Sequence, residues 1–446
     1  MRTAHNPAEN LLVPPKDVLD AMMGKKTGFS EYYQKEDRIV IRKIAIREEL
    51  VIEGLTCRSG VSFVDCDFYA RVLIRGGEFA EFDISGGRII YPLIVSGGTF
   101  NQNFSLSEVD ALNMKEKIFH SLILSGGQFN CNVHIYKGAW QSILIGSASL
   151  KGVVIDTGAG SLFNHELTPY IQRLSVAVRN VGVVEVRDWQ IGNLMLSGTL
   201  EEGICSFQNV ELNQLEIRYF INRGHVLFAK VAFSSRDSHT REKTVSTLAM
   251  ADSDLGKTQF YDLDFTKLAS VEIEHCALTE VESSNTTWFL PVQLQHASNE
   301  TKRDIFRQLK HAMIRQGNRF DQLHFQAAEM DAYRKSLVFW RNPGDAFVLA
   351  VGKYTNNFGT NYILPAIWIL ALALLVFLCS ARIEGISPKG SWGAALAVLN
   401  PAHPIDYLVP KEKITNAFLA VDFAGRVLIS ILIYQLITPF RKFARE

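Results

Sequence analysis

The chain has 446 residues, with 46 basic and 46 acidic side chains and no formal net charge. That length allows two to three domains, and the balanced charge lacks the basic excess of a general nucleic-acid binder, so nucleic acid is not an expected partner. Cys57, Cys66, Cys131, Cys205, Cys276 and Cys379 form no CxxC pair and no zinc-type Cys/His spacing, so no metal or cofactor is expected. The cysteines inside strand-like text read as small buried hydrophobes in a reducing, cytoplasmic setting.

Residues 1–38 form an N-terminal segment expected to cap the β-rich region after it. Met1 to Pro15 carries Arg2 as its early positive charge and lacks the apolar core of a secretory signal. The soluble part is therefore expected to stay in the cytoplasm.

Residues 39–298 consist of short β-prone runs punctuated by glycine. The phrase Leu73-Ile74-Arg75-Gly76-Gly77-Glu78-Phe79 is echoed by Asp83-Ile84-Ser85-Gly86-Gly87-Arg88-Ile89, by Ile94-Val95-Ser96-Gly97-Gly98-Thr99-Phe100 and by Ile123-Leu124-Ser125-Gly126-Gly127-Gln128-Phe129. Each phrase reads as a strand, a glycine corner and an apolar residue re-entering the core. Gly76 and Gly97 lie 21 residues apart, Gly126 and Gly146 lie 20 apart. A chain that returns after about twenty residues predicts a right-handed parallel β-helix, whose coils must stack because one coil cannot bury its own apolar side. The competing reading is an antiparallel sandwich with glycine hairpins, but Asn-Gly and Asp-Gly turn pairs are missing.

Two stretches tighten to a step of five: Phe63 to Phe68 with Val61 to Cys66, and Leu255, Phe260, Phe265. Asp65, Asp67, Glu78, Asp83, Asp156, Glu185 and Asp188 could line a groove, but alternation along strands places them by default on a solvated outer face. Glu274-His275-Cys276 looks like a metal fragment, yet neighbours on a strand point to opposite faces.

Residues 299–343 change period. Ile305, Leu309 and Met313, then Leu323, Ala327, Met330, Tyr333 and Leu337, predict amphipathic helices over Thr301–Gln316 and Phe320–Phe339, separated by the stop signal Gly317-Asn318 and folded as a hairpin that caps the coil stack. His311, His324 and Glu329 fall here without forming a ligand set.

Residues 344–446 read as a membrane domain with spans over 362–380 and 417–440. The first is free of charge and long enough, at 1.5 Å per residue, to cross a hydrocarbon core of about 30 Å. The second contains Asp422 and Arg426, four apart on one helical face and therefore able to pair; the pair reads first as lying in the headgroup region, with only Val427 to Phe440 deeply inserted, and otherwise as a candidate pore lining or subunit contact. Arg441, Lys442 and Arg445 are expected as positive-inside anchors, which puts both termini in the cytoplasm. Ala394 to Leu399 is too short to cross but suits a dip into the interface, and Ala346 to Val351 reads as an interfacial helix.

The Leu255-Gly256-Lys257-Thr258 coil ending, the Arg307-Gln308-Leu309-Lys310 to Glu329-Met330 neck, the Asn357-Phe358-Gly359 turn and the Tyr434-Gln435-Leu436 to Phe440-Arg441-Lys442 end together resemble a group of poorly characterised bacterial membrane proteins. These carry pentapeptide-repeat or β-helix domains followed by two C-terminal membrane helices. The resemblance implies a degenerate pentapeptide-like solenoid at a bacterial inner membrane; it implies architecture and no reaction.

Three functions follow as expectations. The first is a non-enzymatic sensor or scaffold, tethered to the lipid bilayer, whose coil stack meets a cytoplasmic protein partner. The second is a homo-oligomeric two-span ion channel or pore-forming effector gated by the solenoid. The third is an enzyme with a site assembled across coils, although the chain contains no P-loop, GxGxxG, GxSxG or HExxH motif.

Overall fold

The computed structural model describes residues 10–25, 27–35, 38–107, 121–157, 169–235, 244–338, 340–386, 392–408, 410 and 414–443. By internal contacts the chain divides into two units, Met1–Ala297 and Ser298–Glu446.

Strand alternation builds the first unit. In Gln128–Tyr136, Phe129, Cys131, Val133 and Ile135 are buried and their neighbours are not, the period-two pattern of a strand with one face on a core. Such strands stack into a β-solenoid of about ten turns, made of a 13-stranded sheet, an 11-stranded sheet and a short four-stranded one. Pairing is parallel throughout the described strands, except where Tyr32–Lys35 folds back antiparallel on Arg38–Arg42. The antiparallel sandwich is thereby excluded.

The register gives the coil length. Phe79 pairs with Phe100, Leu122 with Ile143 and Leu194 with Leu215, each 21 residues on. Three intervals are longer by eight residues or more: Phe104 to Val133 is 29 residues, Val153 to Val184 is 31 and Leu215 to Leu248 is 33. The pairing resumes in phase after each.

The glycine phrase is the stacked corner that the sequence suggests. Gly77 and Gly98 adopt φ of 119° and 103°, and a Cβ on Gly77 would sit 2.4 Å from the Leu55 carbonyl oxygen. The next amides then close the ladder, Glu78 N to Leu55 O and Thr99 N to Gly77 O, both at 2.8 Å. Behind the corner Phe79, Phe100 and Phe129 stack at 5.1 and 4.6 Å, and Phe207, Phe228 and Phe260 repeat the arrangement at 5.1 and 5.6 Å. Each such aromatic contact adds about 0.5–1.5 kcal/mol beyond its buried area.

Both ends of the stack carry local cover. Helix α1 (Pro15–Met22) buries Val18, Ala21 and Met22, and the Cys57 thiol reaches the Met22 carbonyl at 3.5 Å. At the other end Gln293 is buried. Its Nε2 donates to the carbonyls of Phe265 and Leu268 at 3.0 and 2.5 Å, and its Oε1 accepts from Leu290 N at 2.6 Å. One side chain thus satisfies backbone groups that the missing next coil would have paired.

The second unit is helical. Helices α2 (Asn299–Gln316) and α3 (Arg319–Ser336) form a hairpin around Gly317, whose φ of 71° ends α2. Phe306 and Phe325 stack across it at 6.2 Å, and Lys310 meets Glu329 at 2.7 Å. Helix α4 (Pro343–Asn356) follows, then α5 (Ile363–Ile383), α6 (Trp392–Val398) and α7 (Asn416–Phe443). Two stretches, Ile363–Ile383 and Asn416–Thr438, are long and apolar enough to cross a membrane. Both lie close to the spans expected from the sequence, with α5 continuing past Ser380 through Ile383.

Candidate functional site

Helices α5 and α7 are antiparallel, because polar contacts tie them at both ends. At one end Asn356 is buried, donating to the Gln435 side chain of α7 and accepting from Gly359 N at 3.0 Å. At the other, Glu384 accepts from the Thr415 hydroxyl at 2.7 Å. Between them Gly425 lets α7 approach Val376 of α5, where a Cβ would lie 2.7 Å from a Val376 methyl.

The buried ionisable residues of this hairpin collect beside one side of α7. Arg426 Nε donates to Asp422 Oδ2 at 2.7 Å, and Asp422 Oδ1 lies 2.9 Å from His403 Nε2. His403 Nδ1 sits 2.7 Å from the Asn400 carbonyl, and Arg426 Nη1 reaches the Pro401 carbonyl at 3.4 Å. His403 and Asp422 are 4% and 3% exposed. The Tyr407 ring stands edge-on to His403 at 4.6 Å.

Proton counting fixes the charge of this set. A carbonyl oxygen only accepts, so Nδ1 of His403 carries a proton; one more proton must lie between Nε2 and Asp422 Oδ1. With the guanidinium, the set carries one net positive charge whichever side of that hydrogen bond the shared proton occupies. A buried charge of this kind costs several kcal/mol unless something compensates it.

The set lies at a height where α7 turns Leu419, Phe423 and Val427 outward, Phe423 being 70% exposed. Beneath it, Ile369, Ala373, Val376 and Phe377 of α5 and Ile429 of α7 enclose Val398, with Ala394, Ala395, Leu399 and Tyr407 packed against them. Residues 392–408, between the two long helices, are therefore folded into the apolar hairpin.

Asp422 and Arg426 were the site residues legible in the sequence, from their spacing alone. His403 was missed, because it sits in a polar, proline-flanked loop with no periodicity to mark it. Asn356 and Gln435 carried no signal either. The side chains of Arg441 and Lys442 and all of Arg445 lie outside the described residues.

On the solenoid the carboxylates are engaged one by one. Asp67 is buried and paired with Arg88 at 3.0 Å, Asp83 accepts from Ser62 at 2.8 Å, and Glu185 is paired with Arg187. Asp188 accepts from Asn209 at a corner where both residues have positive φ. His275 points outward beside Asp252 at 3.3 Å while Cys276 is buried. Among the described residues no three His, Cys, Asp or Glu side chains gather as metal ligands. A cavity of about 810 Å³ opens beside Arg179, Asn180, Gly198, Glu201 and Glu202, with mixed charge.

Comparison with known families, curated proteins and solved structures gives no match to this chain.

Proposed function

We propose that the chain is a membrane-tethered scaffold or sensor: the coil stack offers an extended surface to a cytoplasmic protein partner, and the C-terminal hairpin holds it at a bacterial inner membrane with both termini inside. The observation that carries this reading is the outward apolar surface of the hairpin. Of the most apolar stretch of each long helix only 33% and 28% is buried, and Leu370, Leu374, Phe423 and Ile431 project from it. Water would oppose that much contiguous apolar area, and lipid accommodates it. The α4 helix extends the surface with Phe347 and Val348, beside the Trp368 indole that donates to Tyr354 O at 2.9 Å, a location suited to the membrane–water boundary.

We read the coil as right-handed, as parallel crossovers are almost always. Its pentapeptide-like character rests on Leu255, Phe260 and Phe265, all buried at steps of five.

The test is fractionation. The full chain should stay with carbonate-washed membranes, and a chain ending at Ala297 should be recovered in the supernatant. A full chain released by carbonate would refute the tether.

One feature favours a second reading, an oligomeric channel: a folded segment and ionised residues lie inside an apolar helix pair, where such groups commonly mark ion pathways. Reconstitution into liposomes at high density with no conductance would remove it.

A further inference from the structure

The His403–Asp422–Arg426 set has three under-used polar groups beside it. Arg426 Nη2, the Tyr407 hydroxyl and the Ser380 hydroxyl are all buried; Arg426 Nη2 has no partner, and the two hydroxyls face each other without a well-formed hydrogen bond. Ser380 is fully buried on α5. Its hydroxyl, Asp422 and Arg426 all act on the Tyr407 phenol. Burial pushes that phenol up, outweighing the opposing pull of Ser380 and Arg426, so it is a protonated donor at neutral pH. A guanidinium N–H and two hydroxyls that can all donate, next to one uncompensated positive charge, call for an acceptor that carries negative charge. Among the described residues no second carboxylate contacts the set: Glu384 is taken up by Thr415, and Asp406 is exposed.

We propose that Ser380, Tyr407 and Arg426 bind one monoanionic group, a lipid phosphodiester or a free monovalent anion, that balances the charge of the His403–Asp422–Arg426 set. Arg426 remains partly accessible, at 23% of its side chain, which leaves an approach from the lipid-facing side. Basic pockets between spans commonly take lipid headgroups in this manner. Asp422 orients the guanidinium and His403 fixes Asp422, so the anion meets a preformed donor array. The inference rests on the membrane reading of the hairpin, and carbonate extraction tests that reading separately: a chain that stays in membranes yet ignores anions fails here alone.

The experiment measures the thermal midpoint of the purified full chain in a non-ionic detergent, in two arms. The first compares potassium chloride with potassium gluconate at equal ionic strength. The second adds phosphatidylglycerol at constant gluconate. A saturable rise with chloride assigns the free anion, and a rise with phosphatidylglycerol alone assigns the phosphodiester. Tyr407→Phe keeps the ring on His403 and removes one donor, so the half-saturating concentration should rise roughly tenfold, as for a lost hydrogen bond to a charged group. Ser380→Ala serves as the second variant if Tyr407→Phe fails to fold. A midpoint indifferent to both additives, or a rise of equal affinity in the variants, would overturn the proposal.

Discussion

A single methyl group tests the corner geometry of the solenoid. At Gly77 a Cβ would meet the Leu55 carbonyl at 2.4 Å with φ at 119°, so Gly77→Ala must both strain the backbone and push adjacent coils away from each other. Incompatible backbone positions of this kind cost about 1–3 kcal/mol, and the variant should melt several degrees lower by circular dichroism. The same substitution at Gly24, where nothing lies within 4 Å, would meet backbone strain alone and lose less. The thiols make a chemical counterpart. Burial raises Cys66 and Cys205 to about 12 and Cys57 to about 11, so at neutral pH none forms appreciable thiolate, the species that reacts. A water-soluble maleimide should leave all three unlabelled in the folded chain and modify them on denaturation; labelling at a native rate would mean that the coils open locally.

Among elements, the neck is held by charge and the hairpin by contact. Asp331 of α3 bonds Arg334 and Lys335 at 3.0 Å and lies 3.8 Å from Lys353 of α4. Burial alone would raise its carboxyl, but those three cations outweigh it and hold the group below its ordinary value of 3.8. A depressed carboxyl stabilises the fold above its unfolded pKa and loses that contribution as pH falls through the folded value. The stability gap between the native chain and Asp331→Asn should thus be constant above about pH 5 and shrink below about pH 4, as followed by helix signal against urea. In the hairpin, Gly425→Val drives a side chain into Val376 and should lower the midpoint in detergent by the equivalent of about 1–3 kcal/mol; an unchanged midpoint would mean that α5 and α7 do not touch there. The neck helices were legible from their three-to-four spacing and from Gly317, and α5 from its uncharged run, since both signals are local. The Gln293 cover and the loop histidine were not, because each depends on a partner remote in sequence: Gln293 reads Phe265 and Leu268, and His403 reads Asp422. Asp67 shows the limit from the other side. Assigned by default to a solvated face, it is buried, with its charge met by Arg88 one coil on.

For the whole molecule, the 21-residue phrase spacing anticipated the register, and the three longer intervals concealed it elsewhere. Every coil is bonded mainly to the one before and the one after, so cohesion is distributed along an axis and no central nucleus gathers it. That arrangement has a mechanical meaning if the stack is fastened at its carboxyl end, as proposed above. Tension applied to the amino end would peel strands away in order, an ordinary coil releasing 20 to 23 residues, or about 70 Å of slack at full extension. The three expanded coils would yield longer increments, near 100 Å, and the Gln293-covered coil, farthest along the chain from the pulled end, would be the last to let go.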